Sequence, residues 1–241
     1  MSQPIYQYPH VEIDLGKLKE NLAALQERCQ ASSIEITGIV KGFSALPPAV
    51  KVYEEVGMHS VGSSRMDQLR RLREAGITAQ LMLIRIPMPC EVEEVVRWSD
   101  ISLESEIAVL RALNQAAERA GKRHKVILMV DLGDLREGFW DRDELVSAAL
   151  EVEREMPHLE LLGLGTNLGC YGSVQATPEK MEELVAAAEQ VEQAIGRRLD
   201  ILSGGASSSL HMVLDGTMPP RINHLRVGEG ILLGSIWGCN M

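Results

Sequence analysis

A chain of 241 residues, 45% hydrophobic and 24% charged, has the composition of a soluble globular protein and the length of a single α/β barrel. Lys plus Arg number 24 and Asp plus Glu 34, a net charge of -10 that repels a phosphate backbone, so nucleic acid is not an expected partner. Cys29, Cys90, Cys170 and Cys239 form no CxxC pair, the segment MSQPIYQYPH holds no apolar signal core, and no apolar run approaches ~20 residues; a reduced, cytoplasmic protein without a zinc site, disulfide framework or membrane span is expected.

Short apolar runs alternate with amphipathic segments along the chain. Residues 11–15 form the first run, and 17–29 a helical stretch. The run 35–40 ends at Lys41, and a helix at 47–56 leads to a short run at 59–62. Over 66–75 the spacing puts Leu69, Leu72 and Ala75 on one helical face, and Gly76 supplies the stop. A strand at 80–85, a helix at 91–98, a strand at 100–103 and a helix at 105–120 follow. Residues 125–131 read as a strand buried on both faces, because their apolar residues run on without alternating. A helix at 142–155 and a strand at 159–168 precede a long helix at 177–195, opened by Thr177 as N-cap and Pro178 at the first helical position. A strand at 199–202, a short helix at 207–215 and a last strand at 224–233 complete the pattern.

This alternation implies βαβ units and a parallel sheet. Eight of the nine strand candidates close a barrel, so the predicted fold is α/β: a (β/α)8 TIM-type barrel with one extra N-terminal strand, in a single domain over 1–241. A doubly wound open sheet is the alternative, but its Gly-rich fingerprint after the first strand is missing.

In a barrel, chemistry collects at the C-terminal ends of the strands. Lys41 closes the run ITGIVK, where desolvation would prepare an amine for Schiff-base chemistry; the plainer reading is a lysine snorkelling out of a strand end. In VDLGDLREGF, Arg136 stands in a turn beyond the strand and suits a fixed anionic oxygen, unless it merely pairs with Asp131, Asp134 or Glu137. In LSGGASSSL, two glycines lead to Ser207, Ser208 and Ser209, a donor set for phosphate or simply a capped helix start. In HLRVGEGILLG, Arg226, Gly228 and Glu229 fall where barrel enzymes often hold a phosphate, between the last two strand ends; a structural ion pair and a packing glycine are the plain alternatives.

The stretches PHVEIDLGKLKENL, ITGIVKG, VGSSRMDQLRRLREAGI, GLGTNLGCYG, LSGGASSSL and INHLRVGEGILLG together resemble the barrel domain of alanine racemase-like, fold-type III enzymes of pyridoxal 5′-phosphate (PLP), closest to the ornithine racemase branch. The resemblance implies a PLP-dependent racemase of ornithine or another basic amino acid. Lys41 would carry PLP as a Schiff base, and Arg136 would contact the cofactor phenolic oxygen and the substrate carboxylate. Ser207, with Ser208 beside it, Gly228 and the Glu229 backbone would bind the phosphate, and Arg226 the pyridine nitrogen. Asn167 stands where the alanine enzymes stack a histidine on the ring. Ala45 replaces their phosphate-binding tyrosine, and Ala206 the asparagine usual in the ornithine-like branch.

The resemblance also implies a homodimer, and a C-terminal β-domain that pairs with the 11–15 strand and brings a tyrosine as second base. The tail SIWGCNM does not resemble that domain, so the expectation is a barrel domain alone. Cys170 and Tyr171 are second-base candidates, or ordinary loop residues. Asp134 and Glu229 are candidates to hold a basic side chain. A PLP-binding barrel with little or no racemase activity is the alternative function, and a remnant unable to hold PLP a third.

Overall fold

Parallel strands pair in chain order and the eighth returns to the first in the computed structural model, which describes residues 10–169 and 174–235. The strands are β1 (Glu35–Ile39), β2 (Ser60–Ser63), β3 (Gln80–Leu83), β4 (Ile101–Glu104), β5 (His124–Met129), β6 (Leu159–Gly165), β7 (Ile201–Ser203) and β8 (His224–Val227). Helix α1 (Leu15–Ala31) precedes them. After each strand in turn comes one helix: α2 (Pro47–Glu55), α3 (Met66–Glu74), α4 (Val92–Trp98), α5 (Ile107–Arg119), α6 (Arg142–Glu155), α7 (Pro178–Ile195), α8 (Leu210–Leu214) and α9 (Glu229–Leu233). Thr37 opposite Arg226 and Gly38 opposite Val227 complete the ring, so the open-sheet alternative falls.

Both faces of the sheet are covered. On β5, Val126 and Leu128 join the layer beneath the helices, while Ile127 and Met129 join a smaller cluster inside the barrel. That double burial is why the run shows no alternation. On α3, Leu69 and Leu72 are fully buried, each contributing ~2 kcal/mol by leaving water. The ring of helices closes where Asn21 Nδ2 on α1 donates to the Ile231 carbonyl on α9 at 3.0 Å.

The barrel interior has two unlike halves. Met82, Ile84, Ile101, Leu103, Ile127 and Met129, on or just beyond β3 to β5, make one half apolar, and Ile39 on β1 and Leu162 on β6 extend the same cluster. Opposite them Thr37, Ser203, His224 and Arg226, on β1, β7 and β8, are buried and polar.

Two sequence expectations are corrected. Residues 11–14 form no strand, and Leu15 opens α1 with Asp14 as N-cap, its Oδ1 accepting from the Lys17 amide at 3.0 Å. No strand lies beside that segment among the described residues, and Val11 is 91% exposed, so nothing rewards an extended ladder. The last run also splits. Strand β8 ends at Val227, where β1 ends its pairing, and the rest of the run winds into α9 with Ile231 buried against the core. Cys170 and Tyr171 lie outside the described residues.

Candidate functional site

Among the described residues singled out by the sequence, Lys41, Arg136, Asn167, Ser207 and Gly228 follow the C-terminal ends of strands and Arg226 lies within β8, and closure brings those ends to one mouth. Lys41 follows β1 in a single 3-10 turn, and beyond it Ser44 and Ala45 both take left-handed backbone, at φ 56° and 50°. A Cβ on Gly42 would lie 3.2 Å from Leu232 Cδ2, so the Lys41 turn packs against α9. Lys41 itself is exposed, which corrects the expectation that its own strand end would desolvate it.

The loop after β5 is built around Asp131. Its Oδ1 accepts from the Gly133 amide at 2.8 Å and the Leu135 amide at 3.1 Å, holding the turn that carries Arg136. The chain then returns along β5: Phe139 N donates to the Met129 carbonyl at 2.8 Å, and Asp131 N to the Phe139 carbonyl at 3.1 Å. Gly138 makes this close approach at φ +128°, and any Cβ there would sit 2.4 Å from Asp131 N. Arg136 Nε donates to Glu137 Oε2 at 3.2 Å, so Glu137, one of the three acidic partners weighed from sequence, pairs with it.

Glu137 links Arg136 to the next strand end of the mouth, because its Oε1 accepts from Asn167 Nδ2. Asn167, beyond β6, accepts through Oδ1 from Arg226 Nη2 at 2.7 Å, and the same Nη2 donates to the Thr166 carbonyl at 2.6 Å. Arg226 Nη1 donates to Ser203 Oγ. Arg226 is therefore a buried cation, 3% exposed, held by oxygen acceptors on β7 and just beyond β6. Gly165 leaves room for it: an added Cβ would lie 3.2 Å from Nη1.

The serines after β7 divide the work. Ser207 Oγ accepts from the amides of Gly228 and Gly230 at 3.2 and 3.1 Å, so two backbone donors at the β8–α9 turn converge on one point. Ser208 Oγ donates to the Leu168 carbonyl at 2.8 Å and pins the loop after β6 to the turn after β7. Ser209 Oγ closes its own turn on the Gly204 carbonyl at 2.7 Å. Glu229 is exposed at the start of α9. Between β3 and β5 the mouth opens into a hollow lined by Ser105, Glu106, Asp131, Arg136, Glu137 and Trp140.

The structure thus gathers Arg136, Asn167, Arg226, Ser207 and Gly228 into two connected hydrogen-bonded sets, with Lys41 on the adjoining strand end. Sequence reasoning missed Glu137 as a connector, and Ser203 and His224 altogether. A signal existed for His224: it stands two residues before Arg226 on a strand and so shares its inward face.

The fold and mouth define a class: a closed (β/α)8 barrel with a lysine, a buried arginine and a convergent serine–amide donor set at its C-terminal face. The chain belongs to the family described as alanine racemase, N-terminal domain, whose model matches residues 13–235. It is 38% identical to ornithine racemase of Acetoanaerobium sticklandii over 94% of this chain and 64% of that protein. It is 34% identical to lysine racemase of Thermotoga maritima over 94% of this chain and 63% of that protein. The chain therefore spans somewhat under two thirds of these relatives. A solved structure of PipY from Synechococcus elongatus with PLP bound shares the fold at TM-score 0.74 and 20% identity, covering 89% of this chain and 99% of that one. No helix among the described residues is long and apolar enough to cross a membrane.

Proposed function

We propose that this chain is the PLP-binding barrel of an amino-acid racemase for ornithine or another basic amino acid, with the cofactor attached through Lys41 Nζ. The observation that carries the reading is the meeting of amine, anion donors and buried guanidinium at one mouth. The site suits the cofactor: Ser207, whose oxygen accepts from the Gly228 and Gly230 amides, has its hydroxyl proton to offer a phosphate as a neutral hydrogen bond. Arg226 stays charged and can only donate, so a pyridine nitrogen facing it stays unprotonated. PLP, when bound, supplies electron withdrawal that acidifies the substrate α-proton, which such an arginine moderates.

The chain's own residues do the rest. Lys41 Nζ takes up and returns a proton on one face of the substrate. Arg136 would receive the substrate carboxylate and the cofactor phenolic oxygen, and Asn167, bonded to Glu137 and Arg226, would help hold the cofactor. Glu106, Asp131 and Glu137 in the hollow beside Arg136 bring the negative charge that a second, cationic substrate group needs. Asp134 is buried in the loop and Glu229 exposed, so the hollow is the better seat for that group. Ornithine and lysine, the substrates named for the two relatives, both carry it. A homodimer belongs to the same proposal, with Met88, Leu135 and Trp140 as exposed apolar surface around the mouth.

A second reading is a barrel that holds PLP with little or no racemase activity; the match to PLP-bound PipY over 99% of its length supports the PLP-holding part of it. One experiment separates them. Protein incubated with PLP is reduced with borohydride and mapped by peptide mass, and chiral chromatography follows ornithine, lysine, arginine and alanine. A pyridoxyl group on Lys41 with racemisation supports the first reading, and the same group without racemisation the second. An unmodified Lys41 overturns both.

A further inference from the structure

A hydrogen-bonded column descends from the mouth through the polar half of the barrel. Arg226 Nη1 donates to Ser203 Oγ, which lies 2.7 Å from His224 Nδ1. His224 Nε2 lies 2.9 Å from Thr37 Oγ1, and Thr37 Oγ1 lies 2.8 Å from Ser60 Oγ. Register builds it: Ser203 stands opposite His224, and Thr37 opposite Arg226. Arg226, Ser203, His224 and Thr37 are all buried. The lower end opens into a cavity of about 210 Å³ at the base of the barrel, lined by Glu35, His59, Ser60, Gln80 and His224 among others.

The column has a direction. A guanidinium has donors and no acceptor, so Ser203 Oγ must accept from it and send its own proton onward. His224 Nδ1 is the acceptor that receives it. The ring is then neutral with its proton on Nε2, donating to Thr37, which donates to Ser60. Burial first, and the Arg226 charge second, push the His224 imidazole down to about 3, so the ring stays in the form the column requires.

We propose that Ser203 and His224 are positioning residues that hold the Arg226 guanidinium in one orientation toward the pyridine nitrogen of PLP. The role rests on the proposed function. Asn167 and the Thr166 carbonyl fix one guanidinium nitrogen from the mouth side. Ser203 fixes the other from below, and does so only while His224 gives its hydroxyl an acceptor.

The test uses the full chain with PLP. His224→Leu removes the acceptor, whereas His224→Asn keeps an oxygen near the Nδ1 position. Three quantities are read: PLP affinity by equilibrium dialysis, the visible spectrum of the bound cofactor, and the tautomer of His224 by 15N NMR without PLP. The expected result is an Nε2–H tautomer in the wild-type chain. His224→Leu and Ser203→Ala should weaken PLP binding about tenfold and change the spectrum, with His224→Asn restoring both. If His224→Leu does not fold, Ser203→Ala and the shape-preserving Thr37→Val carry the test, with the smaller effect at Thr37. An Nδ1–H tautomer overturns the role, as do folded Ser203 and His224 variants with wild-type affinity and spectrum. A wild-type chain that binds no PLP overturns the proposed function and this role together.

Discussion

Ser102 Oγ donates to Glu104 Oε1 at 2.5 Å behind strand β4, and the other carboxyl oxygen, Oε2, has no hydrogen-bond partner among the described residues. Burial pushes this carboxyl up to about 8, against the opposing pull of the Ser102 hydroxyl. The folded protein therefore keeps a proton that the unfolded chain releases near 4.5. Stability from this group is fully present below that value and is lost as pH rises through about 8, at ~1.4 kcal/mol per pH unit at most. Urea unfolding across this range should show the decline, and Glu104→Gln should flatten it. An unchanged slope in the variant would show that the carboxyl does not titrate this way.

Acid conditions act through a different group. His124 Nε2 lies 2.9 Å from Ser102 Oγ in the same buried cluster, and burial pushes the ring down to about 4. The unfolded chain protonates it near 6.5. Its contribution is present above that value and lost as pH falls through about 4. His124→Asn should reduce the loss of stability between pH 6.5 and 4, measured by the same unfolding series.

Gly138→Ala should destabilise the chain by ~2 kcal/mol or more, since the new Cβ meets backbone at a φ that L residues rarely adopt. It should also weaken substrate binding, because the strained loop carries Arg136. A melting temperature equal to wild type would contradict the geometry of that turn.

Lys41 and Ser207 should separate in their effects. Lys41→Ala should abolish the borohydride-reducible PLP adduct and leave the melting temperature nearly unchanged, since the side chain is exposed. Ser207→Ala should cost ~1 kcal/mol of stability without PLP, because the Gly228 and Gly230 amides lose their acceptor, and should lower PLP affinity as well.

Much of the barrel was legible because β3, β5 and β6 are buried on both faces and read as apolar runs, and because the helices between the strands fall at regular intervals. Lys41, Ser207 and Arg226 were legible by position, each falling on or after such a run. The 11–15 run misled because VEIDL serves a strand or a helix entry equally, and Asp14 three residues ahead of Lys17 was the cap signal that favoured the helix. The exposure of Lys41 was not legible, since the 3-10 turn that takes it past the end of β1 leaves no mark on the apolar run before it. Nor was the Ser203–His224–Thr37 column, which exists only through register between β7, β8 and β1, segments far apart in the chain.

The unequal halves of the barrel interior separate two kinds of change that selection or a protein engineer would make. Arg226, Ser207 and Lys41 all belong to the side formed by β7, β8 and β1, and the hollow with Glu106 and Asp131 to the side of β4 and β5. Behind that hollow stands the apolar half, whose Ile127 and Met129 carry no polar commitments. Of the loops above it, the one after β5 is tied to the opposite side through Arg136, Glu137 and Asn167, so a change of charge is accommodated at the β4 end of the hollow, around Ser105 and Glu106, without disturbing the Arg226 network.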